Sequence, residues 1–249
     1  MSSTTRLRMR TVAAVSLTAL AAGALGACGP LDDKTFKDDA TVKDRITAVR
    51  IDGNSDGFRI RGKKGLDKAA VHREVNYRGK SKPDDTTYHV ENGVLVLEGC
   101  SGHCSVDYTV DVPAGIPVTG STEAGGLSLS SVGEVKVSTT DGGVKVHDAT
   151  GPVDIRTTNG SIDADALKGA DITARASNGS ISLTPATVQN VTAQTTNGSI
   201  TLTAPSAPYE VSAQTQSGGK KLSIPNTASA PHHLNLTTSN GGISLKSAK

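Results

Sequence analysis

The sequence predicts an all-β fold, a single-stranded, right-handed β-helix or β-solenoid with coils of roughly 17–19 residues. The first observation is a repeated corner. Asn-Gly-Ser-Ile begins at Asn159, Asn178 and Asn197, so successive copies are 19 residues apart. The second is that apolar residues form i, i+2 pairs, two pairs per period, which places both side chains on one face of a strand. The third is an aromatic content of 2% without tryptophan, which suits a narrow aliphatic core.

Residues 1–27 predict a lipoprotein signal peptide. Three arginines lie in the first ten residues, and an apolar segment rich in Ala, Val and Leu follows. Leu25-Gly26-Ala27-Cys28 then resembles a bacterial lipobox, which implies diacylglycerol on the Cys28 sulfur and cleavage before it. The apolar segment is short and early for a permanent transmembrane helix. We therefore expect the lipid chains of Cys28 to anchor the protein on the extracytoplasmic face of the cell membrane.

Residues 28–44 predict a flexible tether, because they are polar and mix both signs of charge. Residues 1–27 contain three arginines and no acidic residue, so the net charge falls from +2 to about −1 without them. No basic stripe remains in the rest of the chain. This argues against a nucleic-acid partner.

Residues 45–112 predict short strands separated by turns, forming N-terminal β coils or a cap that is continuous with the later repeats. Only residues 66–74 could instead form a short helix. Cys100 and Cys104 predict a disulfide, since an exported pair of cysteines is usually oxidised and Ser101-Gly102 can fold the chain back. A metal site with His103 is the alternative, but three ligands close in sequence make a poor zinc set.

Residues 113–249 predict the regular repeats of the solenoid. A meander of hairpins with type I′ Asn-Gly turns satisfies the same local pattern, but a hairpin meander does not require a fixed period. We expect glycine to supply backbone freedom at each corner, asparagine to take the left-handed conformation and contact its counterpart one coil away, and isoleucine to point inward. The predicted corners are Asn159-Gly160, Asn178-Gly179, Asn197-Gly198 and Asn240-Gly241.

A lipobox cysteine, a run of Gly-x-[Val/Ile]-x-[Val/Ile/Leu] half-coils and repeated Asn-Gly-Ser-Ile corners resemble the bacterial "putative adhesin" family of unknown function, which is similar to head-GIN domains. The resemblance covers about residues 45–247. It implies a β-helix of mostly parallel strands displayed at the cell surface. The family supplies no catalytic residues, so the resemblance predicts a fold more strongly than an activity.

Three groups of residues could bind a metal or catalyse a reaction, and each has a simpler interpretation. Asp52–Gly57 matches the first half of a calcium loop, but the twelfth position is Lys63 instead of Glu, and turn residues between strands explain the same pattern. His232-His233 lies in a loop insertion without a third ligand nearby. Glycoside hydrolysis needs paired carboxylates, and Asp163, Asp165 and Asp171 lie near one repeat. They do not recur in the neighbouring repeats, so side chains that face solvent are the simpler interpretation.

We therefore predict a non-catalytic, lipid-anchored surface module for adhesion or interaction, without a metal or cofactor. A cell-wall or protein partner is expected, and the protein is expected to be a monomer. We expect the two lysines of residues 246–249 to discourage end-to-end association of the solenoid. The alternatives are a cell-envelope sensor or accessory subunit of a membrane partner, and a β-helix enzyme acting on polysaccharides.

Overall fold

The computed structural model describes residues 33–79, 82–83 and 86–248. The predicted signal peptide and Cys28 lie outside the described residues. Within them the chain forms 21 β-strands and no helix, which confirms the all-β solenoid. Residues 66–74, a candidate helix from the sequence, form a turn that leads into a strand. The part of the chain that the structure describes therefore has no helix long and apolar enough to cross a membrane.

The strands are short, most of them five to nine residues, and turns separate them. In chain order they are β1 (Asp33–Thr41), β2 (Ala48–Asp52), β3 (Gly57–Lys63), β4 (Ala70–Arg78), β5 (Tyr88–Glu91), β6 (Val94–Glu98), β7 (Cys104–Pro113), β8 (Val118–Ala124), β9 (Gly126–Ser130), β10 (Val135–Asp141), β11 (Val144–His147), β12 (Val153–Asn159), β13 (Ile162–Leu167), β14 (Asp171–Asn178), β15 (Ile181–Pro185), β16 (Asn190–Asn197), β17 (Ile200–Ala204), β18 (Glu210–Ser217), β19 (Lys220–Leu222), β20 (His233–Asn240) and β21 (Ile243–Ser247).

Two sheets face each other across the core, and the strands of each coil alternate between them. Sheet 1 has eleven described strands in the order β1-β4-β7-β3-β9-β11-β13-β15-β17-β21-β19, and sheet 2 has ten in the order β18-β20-β16-β14-β12-β10-β8-β2-β6-β5. Between β8–β9 and β16–β17 successive coils pair in parallel, each with the next one along the chain. The hairpin alternative is therefore wrong for these repeats.

The core consists of columns of aliphatic side chains, one residue from each coil. Val144, Ile162, Ile181, Ile200 and Ile243 are in register along sheet 1 and are all buried. Such columns need few aromatic residues, as the composition predicts. The aromatic residues gather instead at the N-terminal end, where the rings of Phe58 and Tyr108 stack with centroids 5.4 Å apart.

The coils do not follow one another in chain order at either end of the solenoid. The coil β20–β21 lies between β16–β17 and β18–β19, although it comes last in the chain. At the other end, β2–β3 lies between β6–β7 and β8–β9. The solenoid therefore ends at β18–β19. The expectation that residues 246–249 form this end is wrong, since Ser247 is in β21, one coil inside it.

Lys220 gives a physical reason for this order at the C-terminal end. It occupies the inward position in register with Ile243, which in turn is in register with Ile200. If β18–β19 stacked directly on β16–β17, Lys220 would be buried between two isoleucines, and an unpaired buried charge is very costly. At the end of the solenoid it is exposed, and its Nζ donates a hydrogen bond to the carbonyl of Ala213, 3.3 Å away.

Replacing Lys220 with isoleucine should therefore make the protein self-associate. The apolar column would extend to the open end of the solenoid, next to Leu222, whose exposed fraction is 45%. An uncharged, apolar sheet end is a template for further pairing. We expect sedimentation velocity to show concentration-dependent dimers for Lys220→Ile. Lys221→Ile is the control, because Lys221 lies on the outward face of the same strand, and a monomeric Lys220→Ile protein would contradict the assignment.

Asparagine side chains stack at the corners of successive coils. The Nδ2 of each asparagine donates to the side-chain oxygen one coil earlier, at 2.7–2.9 Å, along Asp141, Asn159, Asn178, Asn197 and Asn240. The buried threonine two residues before an asparagine donates to a glycine carbonyl of the preceding coil: Thr157 to Gly142, Thr195 to Gly179 and Thr238 to Gly198. Thr-Thr-Asn-Gly-Ser-Ile is thus a stacked corner.

The corner glycines are required because the coils approach closely. A Cβ atom at Gly160, Gly179 or Gly198 would lie 1.9–2.1 Å from the carbonyl oxygen of the glycine one coil earlier. None of these three has a positive φ, and Asn159, Asn178 and Asn197 are not among the residues with a positive φ. The expectation of a left-handed asparagine is therefore wrong. Of the predicted corner residues only Gly241, with φ 155°, is in that region.

The prediction of a flexible tether over residues 28–44 is wrong for Asp33–Thr41, because these residues form the edge strand β1. It pairs antiparallel with β4 along its whole length. Three ion pairs, Asp33–Arg78, Lys37–Glu74 and Asp38–Arg73, and a contact of Asp39 with His72 Nδ1 join the two strands at 2.5–2.9 Å. The mixed charges that predicted a flexible tether are the side chains that pair with β4. Sequence periodicity does not reveal this pairing.

Candidate functional site

The predicted disulfide is present and lies at the N-terminal end of the solenoid. Cys100 and Cys104 are bonded, with Cα atoms 5.9 Å apart, in the connection between β6 and β7. Gly102 has φ 84° in this connection and folds the chain back, as expected from Ser101-Gly102. The disulfide occupies both thiols of the alternative metal site with His103.

The candidate calcium loop, Asp52–Gly57, forms the corner between β2 and β3. Two of its polar side chains, Asn54 and Ser55, make contacts with other coils. Asn54 Nδ2 donates to Glu123 Oε2 at 2.8 Å, and Asn54 Oδ1 accepts from the Glu123 backbone N–H at 3.1 Å. The hydroxyl of Ser55 is buried and donates to the carbonyl of Val106. The loop therefore has a structural explanation.

The other candidate catalytic or metal-binding residues are dispersed. Asp163 and Asp165 lie on the outer face of sheet 1, where Asp165 is 2.8 Å from His147 Nδ1. Asp171 is in sheet 2 and accepts a hydrogen bond from Asn190. His233 is 3.5 Å from Glu210. Among the described residues no three His, Cys, Asp or Glu side chains form a group that could hold a metal ion.

Sheet 2 carries a long open groove on its outer face, with a volume of about 700 Å³. We call it the sheet 2 groove. Its floor is formed by outward side chains of β8, β10, β12, β14 and β16, and the β2–β3 corner closes one end. Most of these side chains carry a hydroxyl, an amide or a charge: Asp52, Asn54, Ser121, Glu123, Ser138, Thr140, Arg156, Thr158, Arg175, Ser177, Gln194 and Thr196.

Charge is separated along the sheet 2 groove. Asp52 and Glu123 lie at the end formed by β2 and β8, whereas Arg156 and Arg175 lie on the neighbouring strands β12 and β14. Arg156 Nη2 donates a hydrogen bond to Asp154 Oδ2 on the same strand, 2.9 Å away. Arg175 makes no hydrogen bond or ion pair within the residues that the structure describes. The groove therefore offers an open guanidinium group beside a row of hydroxyls.

Arg156 and Arg175 are directly opposite each other on paired strands. Elsewhere in the described registers, cations on paired strands face acidic or uncharged residues, as in Lys136–Asp154, Lys145–Asp163 and Arg61–Asp111. Like charges directly opposite each other destabilise a sheet. Arg156 and Arg175 are therefore the one pair of cations that face each other in the described registers, although the acidic residues Asp52 and Glu98 also face each other on β2 and β6.

Sequence reasoning missed the sheet 2 groove, although a signal was present. Arg156 and Arg175 are 19 residues apart, the spacing of the repeat itself, and both come three residues before an asparagine of the corner. This spacing places them on one column in a solenoid. The closing of the groove by Asn54 and Glu123 had no comparable signal, because these residues are 69 positions apart.

A buried network of hydrogen bonds lies outside the sheet 2 groove, at the N-terminal end of the solenoid. Burial raises the pKa of the Tyr108 phenol, whose OH contacts the backbone carbonyl of Glu98 at 2.9 Å and both oxygens of Thr87. Arg73 also donates to Thr87 Oγ1, at 3.0 Å. These groups form a polar network beneath β1 and hold the end of the solenoid together.

Three solved structures align with most of this chain. A "putative adhesin" from Parabacteroides distasonis is 14% identical with a TM-score of 0.47, and the alignment covers 86% of this chain and 98% of that one. A "putative adhesin" from Bacteroides fragilis is 14% identical with a TM-score of 0.44, covering 88% and 99%. A "putative cell adhesion protein" from Clostridium sporogenes is 12% identical with a TM-score of 0.36, covering 87% and 100%. No curated protein matches the chain.

The family model described as Toastrack DUF4097 matches residues 96–246. The matched segment runs from β6 to β21 and contains the stacked corners and the whole of sheet 2 from β8 to β20. It covers more than half of the chain and agrees with the resemblance that the repeats indicate. The chain belongs to the Toastrack DUF4097 family.

Proposed function

We propose that this protein is a lipid-anchored module of the cell surface that binds an extracytoplasmic partner without catalysis. The sheet 2 groove is the observation that carries the proposal. It is open along its length, it is built on strands paired on both sides, and it is lined by hydroxyl, amide and charged groups. Such a face forms many polar contacts with an extended partner and needs little rearrangement to do so.

The anchor rests on the lipobox at Leu25-Gly26-Ala27-Cys28. Cys28 is five residues before Asp33, the first described residue of β1, a separation of at most about 18 Å in an extended chain. The folded part would therefore lie close to the membrane surface. This arrangement suits a partner within the inner layers of the cell envelope.

A substitution at Cys28 tests the anchor. We expect the wild-type protein in the membrane fraction, and we expect Cys28→Ser either to appear in the soluble fraction or to remain unprocessed, because serine cannot form the thioether to diacylglycerol. The measurement is cell fractionation with immunoblotting. Ser16→Ala, within the apolar segment, is the control. Membrane retention of Cys28→Ser with normal maturation would show that the protein is not lipidated.

A binding experiment tests the surface function. Labelled full-length protein is incubated with purified cell wall and with host matrix, and binding to either supports an adhesion module. Capture from cells of one dominant membrane protein would replace it by the alternative, a sensor or accessory subunit. Turnover of a polysaccharide that depends on Asp163 or Asp165 would establish the enzyme alternative.

A further inference from the structure

We propose that the sheet 2 groove binds a linear anionic polyol, a chain of hydroxylated units joined by phosphodiesters, and that Arg156 and Arg175 hold one phosphate between them. The inference rests on the proposed surface function and names the chemistry of its ligand. Its first support is the pair of stacked arginines. Paired strands lie about 4.8 Å apart, so one anion can accept hydrogen bonds from both guanidinium groups.

The free hydrogen-bonding capacity of the two arginines supports an anion at this position. A guanidinium group has five N–H donors, and Arg156 uses one of them on Asp154. Arg175 uses none within the described part of the chain. An anion between the two groups would cancel the repulsion that the register creates, so the site is more favourable with a ligand than without one.

Hydroxyl groups adjoin the proposed phosphate position. Thr158 and Ser177 are the next outward residues after Arg156 and Arg175 on the same strands, and both are exposed. Ser138 lies opposite Arg156 on β10. These groups can donate to phosphate oxygens or exchange hydrogen bonds with ligand hydroxyls.

The acidic end of the groove restricts where the phosphates can lie. Asp52 and Glu123 lie three to four strands from Arg175, and their carboxylates would repel a phosphate there. The ligand chain is therefore placed across the groove, along β12 and β14, where Thr158 and Ser177 adjoin the two arginines.

The aromatic content favours an acyclic polyol over a sugar ring. Binding sites for pyranose rings generally use an aromatic side chain as a platform for the ring face. The sheet 2 groove is lined by no aromatic residue among those the structure describes. Polar contacts alone therefore carry the recognition.

Isothermal titration calorimetry of the purified full-length protein with poly(glycerol phosphate) at low ionic strength tests the proposal. We expect binding by the wild type and a loss of about tenfold in affinity for Arg175→Ala, with a smaller loss for Arg175→Lys, which keeps the charge but not the planar fork. Lys145→Ala is the control. It removes the same charge from the outer face of sheet 1, where Lys145 is opposite Asp163.

The remaining outcomes decide the ligand. Unchanged affinity in Arg175→Ala, or an equal loss in Lys145→Ala, would overturn the arginine site, since binding would then be unspecific attraction of a polyanion. Tighter binding of polygalacturonate would overturn the phosphodiester in favour of a carboxylate glycan, and neutral dextran is the uncharged comparison. Binding of intact cell wall that survives Arg175→Ala would leave the surface function standing and overturn this site alone.

Discussion

Replacing Gly179 with alanine should lower the melting temperature by about 10 °C, the largest effect that we expect from a single methyl group in this chain. The added Cβ would lie 1.9 Å from the carbonyl oxygen of Gly160 and 2.5 Å from its carbonyl carbon. Both atoms belong to the backbone, so the two coils would have to separate at the corner. We expect a cost of about 3 kcal/mol, measured by thermal unfolding followed by circular dichroism.

Gly219→Ala is the matched control for this experiment. Gly219 is at the corner of the terminal coil, its φ is not positive, and a Cβ there would meet no atom within 4 Å. Alanine at such a position reduces the entropy of the unfolded chain, so the protein should be slightly more stable. Equal melting temperatures for the two variants would mean that close stacking at the corner does not limit stability.

Replacing Asp38 with alanine should detach β1 from the rest of the protein. Asp38 accepts hydrogen bonds from Arg73 at 2.8–3.0 Å, and the Arg73 side chain is only 9% exposed. Loss of the carboxylate would remove these charge-assisted hydrogen bonds from a nearly buried guanidinium group, which costs about 3 kcal/mol. Limited proteolysis should then cleave within residues 33–41. Asp33→Ala is the control, because the pair of Asp33 with Arg78 is exposed and should change little.

The same carboxylate predicts how stability depends on pH. Hydrogen bonding from Arg73, followed by its charge, holds the pKa of Asp38 below the ordinary value of 3.8. A depressed pKa in the folded protein contributes stability above the unfolded value, and this contribution disappears as the pH falls through the folded value. We therefore expect acid to release β1 from the wild type only when the pH falls below the ordinary carboxyl value of 3.8. An Asp38→Asn protein with the same acid transition would show that another group controls it.

Much of the repeat region follows from the sequence because its signal is local. The i, i+2 pairs from Leu127 to Leu202 are buried, as predicted, because each pair needs only an extended backbone and one apolar side to its strand. The fixed spacing of Asn159, Asn178 and Asn197 predicted that these residues contact one another, and they form a ladder of hydrogen bonds. The pair Leu222/Ile224 departs from the pattern, since Leu222 is exposed on the terminal strand β19.

The ends of the solenoid could not be predicted in the same way. The strand β1 has no apolar periodicity, and its pairing depends on polar partners 33 or more residues away, such as Arg73 for Asp38. The order of the last two coils depends on which register position Lys220 would occupy in each arrangement. The i, i+2 apolar pairs alone permit either order, and the position of Lys220 favours the observed one only once the register between the coils is known.

The sequence by itself determined the all-β solenoid, its coil length, the stacked corners and the disulfide of Cys100 and Cys104. Each of these depends on residues close in sequence or on a regular spacing. The tertiary structure decided the order of the terminal coils, the docking of β1 and the sheet 2 groove with Arg156 and Arg175 on one column. These features depend on which strands pair when they are distant in sequence. The pairing minimises the cost of buried charge and maximises apolar burial over all the coils together, so no short segment of the sequence determines it.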